Sequence, residues 1–316
     1  MGVDLPDEAD ESPDGNADRR DEQGDGRHAG RSGNSEAETR SRQDCYDDLR
    51  TTVPAQEPTT ARRITPEEQA AAEKWDKEAE KSRWMWSEYE RKWPPEERVV
   101  ADSSGDARRS RPLSFEANSR VEAACDRIAE LEEKKITPAM RAIESQDPDR
   151  RLVGLEHCRK GRERVKEKVQ DAINLLRRSP DQAISRVPDA IRYTFQYRET
   201  QYTQGVLTDI GRLREQGFEL NSLWNAWSKD QYKGINSQWI DPDSGQRFEV
   251  QFHTRISFEA KQLTHDAYKR LRTKQADIFE ELVLEAFQKK VSADVPIPSE
   301  AIDIPNHPGK RGTSAR

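Results

Sequence analysis

Hydrophobic and polar positions alternate most cleanly over residues 248–253. Phe248, Val250 and Phe252 take one parity, and Glu249, Gln251 and His253 take the other. That is the period of a strand with one buried face. Just upstream, Asp241-Pro-Asp-Ser-Gly245 places turn-forming residues where a tight reversal needs them. Tyr232–Trp239 and Phe248–Thr254 therefore read as the two arms of a β-hairpin. The apolar parity should face the core, leaving a carboxylate, an amide and an imidazole to face a cleft.

Elsewhere the apolar period lengthens to that of a helix. Thr65-Pro-Glu-Glu opens one, with Thr as N-cap, Pro at the first position and acids in the first turn. It runs to Trp93, where Pro94-Pro95 stops it. Trp75, Ser82, Trp86, Tyr89 and Trp93 form a stripe too apolar for water, so it must dock on its own domain or on a partner protein. Val121, Ala124, Cys125, Ile128 and Leu131 mark a second helix, and Ile136 and Met140 continue it past Pro138. A basic helix follows at about 160–177, with Val165, Val169, Ile173 and Leu176 inward. Ala190–Tyr197 reads as a strand, Val206, Ile210 and Leu213 as a helix ending at Gly217, and Phe218–Trp227 as another strand. Helices at about 257–272 and 274–290 close the pattern. This order predicts an α+β fold, a nucleotidyltransferase-like mixed sheet flanked by helices.

Composition then divides the chain. Only 32% of residues are hydrophobic and 36% are charged, and the shortage is uneven. Residues 1–60 hold 16 acidic and 7 basic residues with one aromatic, Tyr46, so their net charge is −9 of the chain's −7. Such a segment has too little apolar surface to offset chain entropy. The expected division is a disordered acidic head at 1–62, the Trp-rich helix and a linker at 63–118, a folded domain at 119–290 and a disordered Pro-rich tail at 291–316. Cys45, Cys125 and Cys158 are too few and scattered for a disulfide framework or zinc cluster, which suits a reducing compartment. No apolar run reaches the ~20 residues that span a bilayer, and the acidic N-terminus lacks the apolar core of a secretory signal. These features predict a soluble protein acting in the cytoplasm, with delivery by another route left open.

The ionisable residues suggest a phosphate chemistry. Asp189 stands at the start of the first strand, Arg192 follows three residues later, and Glu249 lies on the hairpin. Two carboxylates from neighbouring strands supply the hard oxygens of a Mg²⁺–nucleotide site. Arg159, Lys160, Arg162, Arg164, Lys166 and Lys168 cluster around a helix start, where amides and cations bind phosphate. Tyr232 is placed to stack on a base. Taken singly, each has a plainer reading: a solvated basic face, an ion-paired strand Glu, an Asp capping a turn after Pro. Their order along the chain is the more telling signal. No Gly-x-x-x-x-Gly-Lys loop is present, which argues against a P-loop enzyme. His265-Asp266 is a dipeptide of metal-dependent hydrolases, but five histidines, two of them in the expected tails, are too few for that site.

In this order the residues resemble the RelA/SpoT-like alarmone synthetases. That family's hairpin reads Gly-Tyr-x-Ser-x-His and then Glu-x-Gln-x-Arg-Thr; the counterparts are Gln231-Tyr232-Lys-Gly-Ile-Asn236 and Glu249-Val-Gln251-Phe-His253-Thr254. Its Asp with Ile-Arg is similar to Asp189-Ala-Ile-Arg192, its Arg-x-Lys segment to Cys158-Arg159-Lys160, and its helical His and Tyr to His265-Asp-Ala-Tyr268. The resemblance covers about residues 120–290 and looks closest to divergent actinobacterial toxin-like members. It implies an ATP-dependent transfer of pyrophosphate to the 3′-hydroxyl of a guanine or adenine nucleotide, or of tRNA, and implies a growth-arresting toxin with a neutralising protein partner. Under it Mg²⁺ and ATP are the cofactors. Asp189 and Glu249 hold the metal, with Glu249, Asp189 and Arg192 catalytic. Arg159, Lys160, Arg162, Lys166, Tyr232, Gln251 and His253 bind the nucleotides. The sequence departs from the pattern where Asp189 lies two residues nearer the Arg, where Cys158 takes an Arg position, where Asn236 replaces a His, and where His253 replaces an Arg. The competing expectation is a catalytically degenerate nucleotide sensor or adaptor that holds a partner through the Trp-rich helix.

Overall fold

A computed structural model of the chain describes residues 64–94, 112–185, 187–272 and 276–308. The expectations for the acidic head, for most of the linker and for the last eight residues lie outside the described residues.

Helix α1 (Pro66–Lys92) begins as its sequence dictates. Thr65 and Glu68 form a reciprocal capping box, and Pro66 takes the first position. Its stripe docks on the chain's own α7 (Arg255–Arg272) and α8 (Ile278–Ala293). Trp75 is buried and donates its indole N–H to Glu259 at 2.7 Å, and Tyr89 donates to the buried Glu280, which also holds Arg270. Helix α2 (Phe115–Leu131) passes through a widened π segment, Glu132–Ile136, into α3 (Thr137–Glu144). Pro138 has no N–H to give and crowds the preceding turn, and the widened turn accommodates it without breaking the helical path.

The sheet contains β1 (Arg150–Val153), β2 (Arg192–Tyr197), β3 (Glu219–Asn225), β4 (Ile235–Ile240) and β5 (Arg247–Thr254) in the order β1-β2-β5-β4-β3. Only β2 and β5 run parallel; the other pairs are antiparallel. The fold is the expected α+β arrangement, a mixed sheet flanked by helices. Strand β1 and the short helix α5 (Pro180–Ser185) were not foreseen, because four and six residues are too few to show a period.

Side-chain parity gives the sheet an apolar and a polar face. Tyr193, Phe195, Phe248, Val250, Phe252 and Trp239 are buried on the core side, where α6 (Tyr202–Glu215) covers them with Tyr202, Val206 and Leu213. The register then sets two polar rows on the opposite face. Arg192, Glu249 and Gln238 form one, and Thr194, Gln251, Asn236 and Trp224 the other.

Residues 291–308 of the tail expected to be disordered are ordered. Leu223 and His307 exchange backbone hydrogen bonds, and the Asn225 amide donates to the carbonyls of Ala301 and Ile304, both at 2.8 Å. Strand β3 is a sheet edge, and its unpaired backbone groups are satisfied by this segment. Its proline content suggested a solvated chain; Val295, Ala301 and Ile304 are nevertheless buried.

Candidate functional site

The polar face opens into a cleft of 1080 Å³ walled by Arg192, Glu249, Gln251, Asn236 and Trp224 of the two rows, helix α4 (Arg162–Leu176), α7 and α8. Eight lysines and arginines line it against four carboxylates, which suits a polyanionic ligand.

Asp189 is the most constrained group in it. It sits in a 3₁₀ turn immediately before β2, placed there by Pro188. Its Oδ2 accepts from Lys168, lies 3.2 Å from Lys160 Nζ and 3.5 Å from Arg192. Its Oδ1 is buried and accepts no hydrogen bond. Burial works to raise this carboxyl, yet the bond from Lys168 and the charges of Lys168 and Lys160 hold it below its ordinary value. Burial also lowers Lys160, opposed by Asp189.

Arg192 joins the two carboxylates. Its Nε donates to Glu249 Oε2 at 3.3 Å while its other end reaches Asp189. The parallel pairing of Arg192 with Glu249 dictates this contact. Glu249 Oε1 accepts from Gln251 at 2.5 Å, and Gln251 in turn accepts from Lys261 on α7. Lys261 is pushed down to about 8, first by burial and then by the Arg192 charge. It was not singled out from the sequence. The signal was the α7 face that Lys261 shares with His265, Tyr268 and Arg272 at helical spacing, all four on the cleft wall.

Loop 158–160 is held by an unexpected device. Arg159 bridges to Ile191, Lys160 N–H donates to Ala190 at 2.9 Å and Arg192 N–H to Cys158 at 2.6 Å. This short extra ladder sets Lys160 beside Asp189. Arg159 itself turns outward to Glu132, at 3.3 Å. Burial pushes the Cys158 thiol up to about 11, with Glu132 adding to the shift, which keeps it protonated at neutral pH.

The structure thus brings together Asp189, Glu249, Arg192, Lys160, Gln251 and Tyr232, and leaves four other predicted residues off the cleft wall. Arg159 pairs with Glu132. Arg162 pairs with Glu122 and Asp126, and Lys166 with Glu122 and Glu163. Residues 162 and 166 are one helical turn apart and face α2, whereas Lys168 emerges on the other side. His253 is wholly buried at the end of β5. There α7 closes over the strand, and Ser257 Oγ lies 2.9 Å from His253 Nδ1. Burial keeps this imidazole neutral, far below its usual value, and the Lys261 charge acts in the same direction.

The aromatic wall is larger than expected. Trp224 lies nearly parallel to Tyr232, with centroids 5.8 Å apart and planes 9° apart. Trp224 is 45% exposed, an accessible ring beside the cleft.

No family model and no curated protein matches the chain. Among solved structures, the chain is similar to small alarmone synthetases. Small alarmone synthetase 1 from Bacillus subtilis is 14% identical at a TM-score of 0.38, covering 56% of this chain and 89% of its own. The same enzyme bound to its product pppGpp aligns at 12% identity and the same TM-score, over 56% and 92%. A GTP pyrophosphokinase family protein from Streptococcus pneumoniae is 14% identical at 0.38, over 57% and 89%. Likenesses of this size carry no weight for what the cleft does, which rests on its own side chains.

Among the described residues there is no group of three or more His, Cys, Asp or Glu that could hold a metal. A divalent cation here would need oxygens from a bound phosphate to complete its shell. The unpartnered Oδ1 of Asp189 and the nearby Glu249 fit that requirement.

Proposed function

We propose that this chain is an ATP-dependent pyrophosphotransferase acting on the 3′-hydroxyl of a nucleotide or of a nucleotide at an RNA end. The observation that carries the reading is the buried, unpartnered Asp189 Oδ1, set beside three cations and one arginine-linked partner carboxylate. The order of motifs around it supports the same reading.

Lys160 and Lys168 bind the ATP phosphates, and Arg192 neutralises charge developing on the transferred group. Glu249 accepts the proton of the acceptor 3′-hydroxyl. That oxygen bonds to the β-phosphorus of ATP as the α–β bridging bond breaks, and its electron pair leaves on AMP. Asp189 and Glu249 would hold a Mg²⁺ ion, which would neutralise charge on the phosphates. The exposed Trp224 ring, backed by the half-buried Tyr232 ring, stacks the acceptor base.

One observation favours a second reading. Arg159 is held by Glu132 away from the cleft, and Cys158 beside it carries no charge, which fits a sensor that binds nucleotide without turnover. The test is incubation with γ-labelled ATP, Mg²⁺ and separate acceptors: GDP, GTP, AMP, ADP, ATP and deacylated tRNA. Label in one acceptor with AMP as co-product, lost in Glu249→Gln, establishes the reaction. ATP binding without transfer to any acceptor establishes the sensor. Expression that arrests bacterial growth, relieved by Glu249→Gln, supports the toxin role; equal arrest by both proteins refutes it.

A further inference from the structure

A chain of four side chains runs from the core to the cleft wall. Ser257 Oγ is 2.9 Å from His253 Nδ1, His253 Nε2 is 2.9 Å from the Tyr232 hydroxyl, and that hydroxyl is 2.8 Å from Asn236 Oδ1. With Asn236 Oδ1 facing the hydroxyl and the imidazole neutral, the proton inventory leaves one assignment. Were the Tyr232 proton directed at His253, the 2.8 Å contact with Asn236 Oδ1 would hold two acceptors and no hydrogen. So Tyr232 donates to Asn236, His253 donates to Tyr232 through Nε2–H, and Ser257 donates to Nδ1. The imidazole is neutral, as this direction requires.

This direction has a consequence at the cleft. With its oxygen engaged by Tyr232, Asn236 turns only its NH₂ outward, and that NH₂ has no partner among the described residues. Its cross-strand neighbour Gln251 is engaged at both ends, donating to Glu249 and accepting from Lys261. Its other neighbour is the exposed ring of Trp224. A base lying on that ring would bring its edge or its sugar alongside a fixed, neutral donor.

We propose that His253 is a positioning residue for acceptor recognition, acting through Tyr232 to fix Asn236 so that its NH₂ donates to an oxygen or ring nitrogen of the acceptor nucleotide. The inference rests on the nucleotide reading above, but not on turnover. A polar chain of this kind acts as a unit, so breaking it at one link removes the effect of the rest.

The test is calorimetric binding of GDP and of ADP to the full chain in the presence of a non-hydrolysable ATP analogue. His253→Leu and Tyr232→Phe are each expected to weaken the preferred acceptor about tenfold, the scale of one lost hydrogen bond. The double variant should lose no more than either single one, while affinity for the ATP analogue stays unchanged. His253→Gln, whose NH₂ can replace Nε2–H, should restore most of the loss. Ser257→Ala, which leaves the imidazole in place, gives the same direction should His253→Leu fail to fold. Additive losses in the double variant, or an equal loss for the ATP analogue, overturn the proposal. Coupled losses without any label transfer would sustain it and sink the pyrophosphotransfer reading, and transfer with additive losses would do the reverse. Failure of the wild type to bind either nucleotide overturns both.

Discussion

Nε2 of His253 lies 2.9 Å from the Tyr232 hydroxyl, so a side chain without solvent exposure holds a ring that borders the cleft. Gly234 makes this approach feasible. Its φ is +141°, and a Cβ there would stand 2.7 Å from His253 Cε1. Gly234→Ala is therefore expected to cost at least about 1–3 kcal/mol from backbone strain, with further loss from the clash. A lower denaturant midpoint with unchanged slope would show it; an unchanged midpoint would disprove the contact.

Glu249→Gln keeps the shape of the site and its bond to Gln251 within reach but removes the base. Transfer should fall about 10²–10⁴-fold while ATP affinity is retained. A loss confined to the acceptor KM would instead assign Glu249 to binding.

Asp189→Asn removes the charge on which Lys160, Lys168 and Arg192 converge. Metal-free ATP should then bind more tightly, since those cations lose their internal competitor, while Mg²⁺ no longer improves binding. Titration of ATP with and without Mg²⁺ separates this from general damage, which would weaken both.

Lys261 gives the site a pH signature. Its folded value is lowered to about 8 from 10.5, so the ammonium is present below pH 8 and lost above it. Phosphate affinity should fall as pH rises past 8, and Lys261→Arg should flatten that fall. Stability moves the other way. Between about 8 and 10.5 the unfolded chain binds more protons than the folded one, so the fold gains stability as pH rises through that window. Weaker binding at pH 9 alongside an unchanged or higher melting temperature is the expected pair of results.

Helix α1 supports α7, which carries Lys261. Trp75→Ala should cost about 3–5 kcal/mol by emptying a buried aromatic site and removing the indole donor to Glu259 Oε2. A cost near zero would mean that α1 does not pack on α7 in solution.

The sequence by itself determined the hairpin, its two faces and the carboxylates. Strand period is a local property, and a turn of Pro, Asp and Gly leaves the pairing of the two arms little freedom, although the first arm begins at Ile235 rather than at Tyr232. It also determined α1 and its stripe, because a capping box and a run of aromatics at helical spacing are short-range signals. What it could not decide was which cations face which acids. Arg159, Arg162, Lys166 and Lys168 look alike along the chain; only the docking of α4 on α2 turns two of them toward Glu122 and leaves Lys168 for Asp189. Likewise His253 shares its parity with Glu249 and Gln251, yet the start of α7 folds over the strand end and makes it a buried strut. Lys261 and Trp224 join the site from elements distant in sequence, and the tail that pairs with β3 owes its order to a sheet edge rather than to its own composition. Each of these turns on long-range packing, which places a side chain relative to residues that no local period can name.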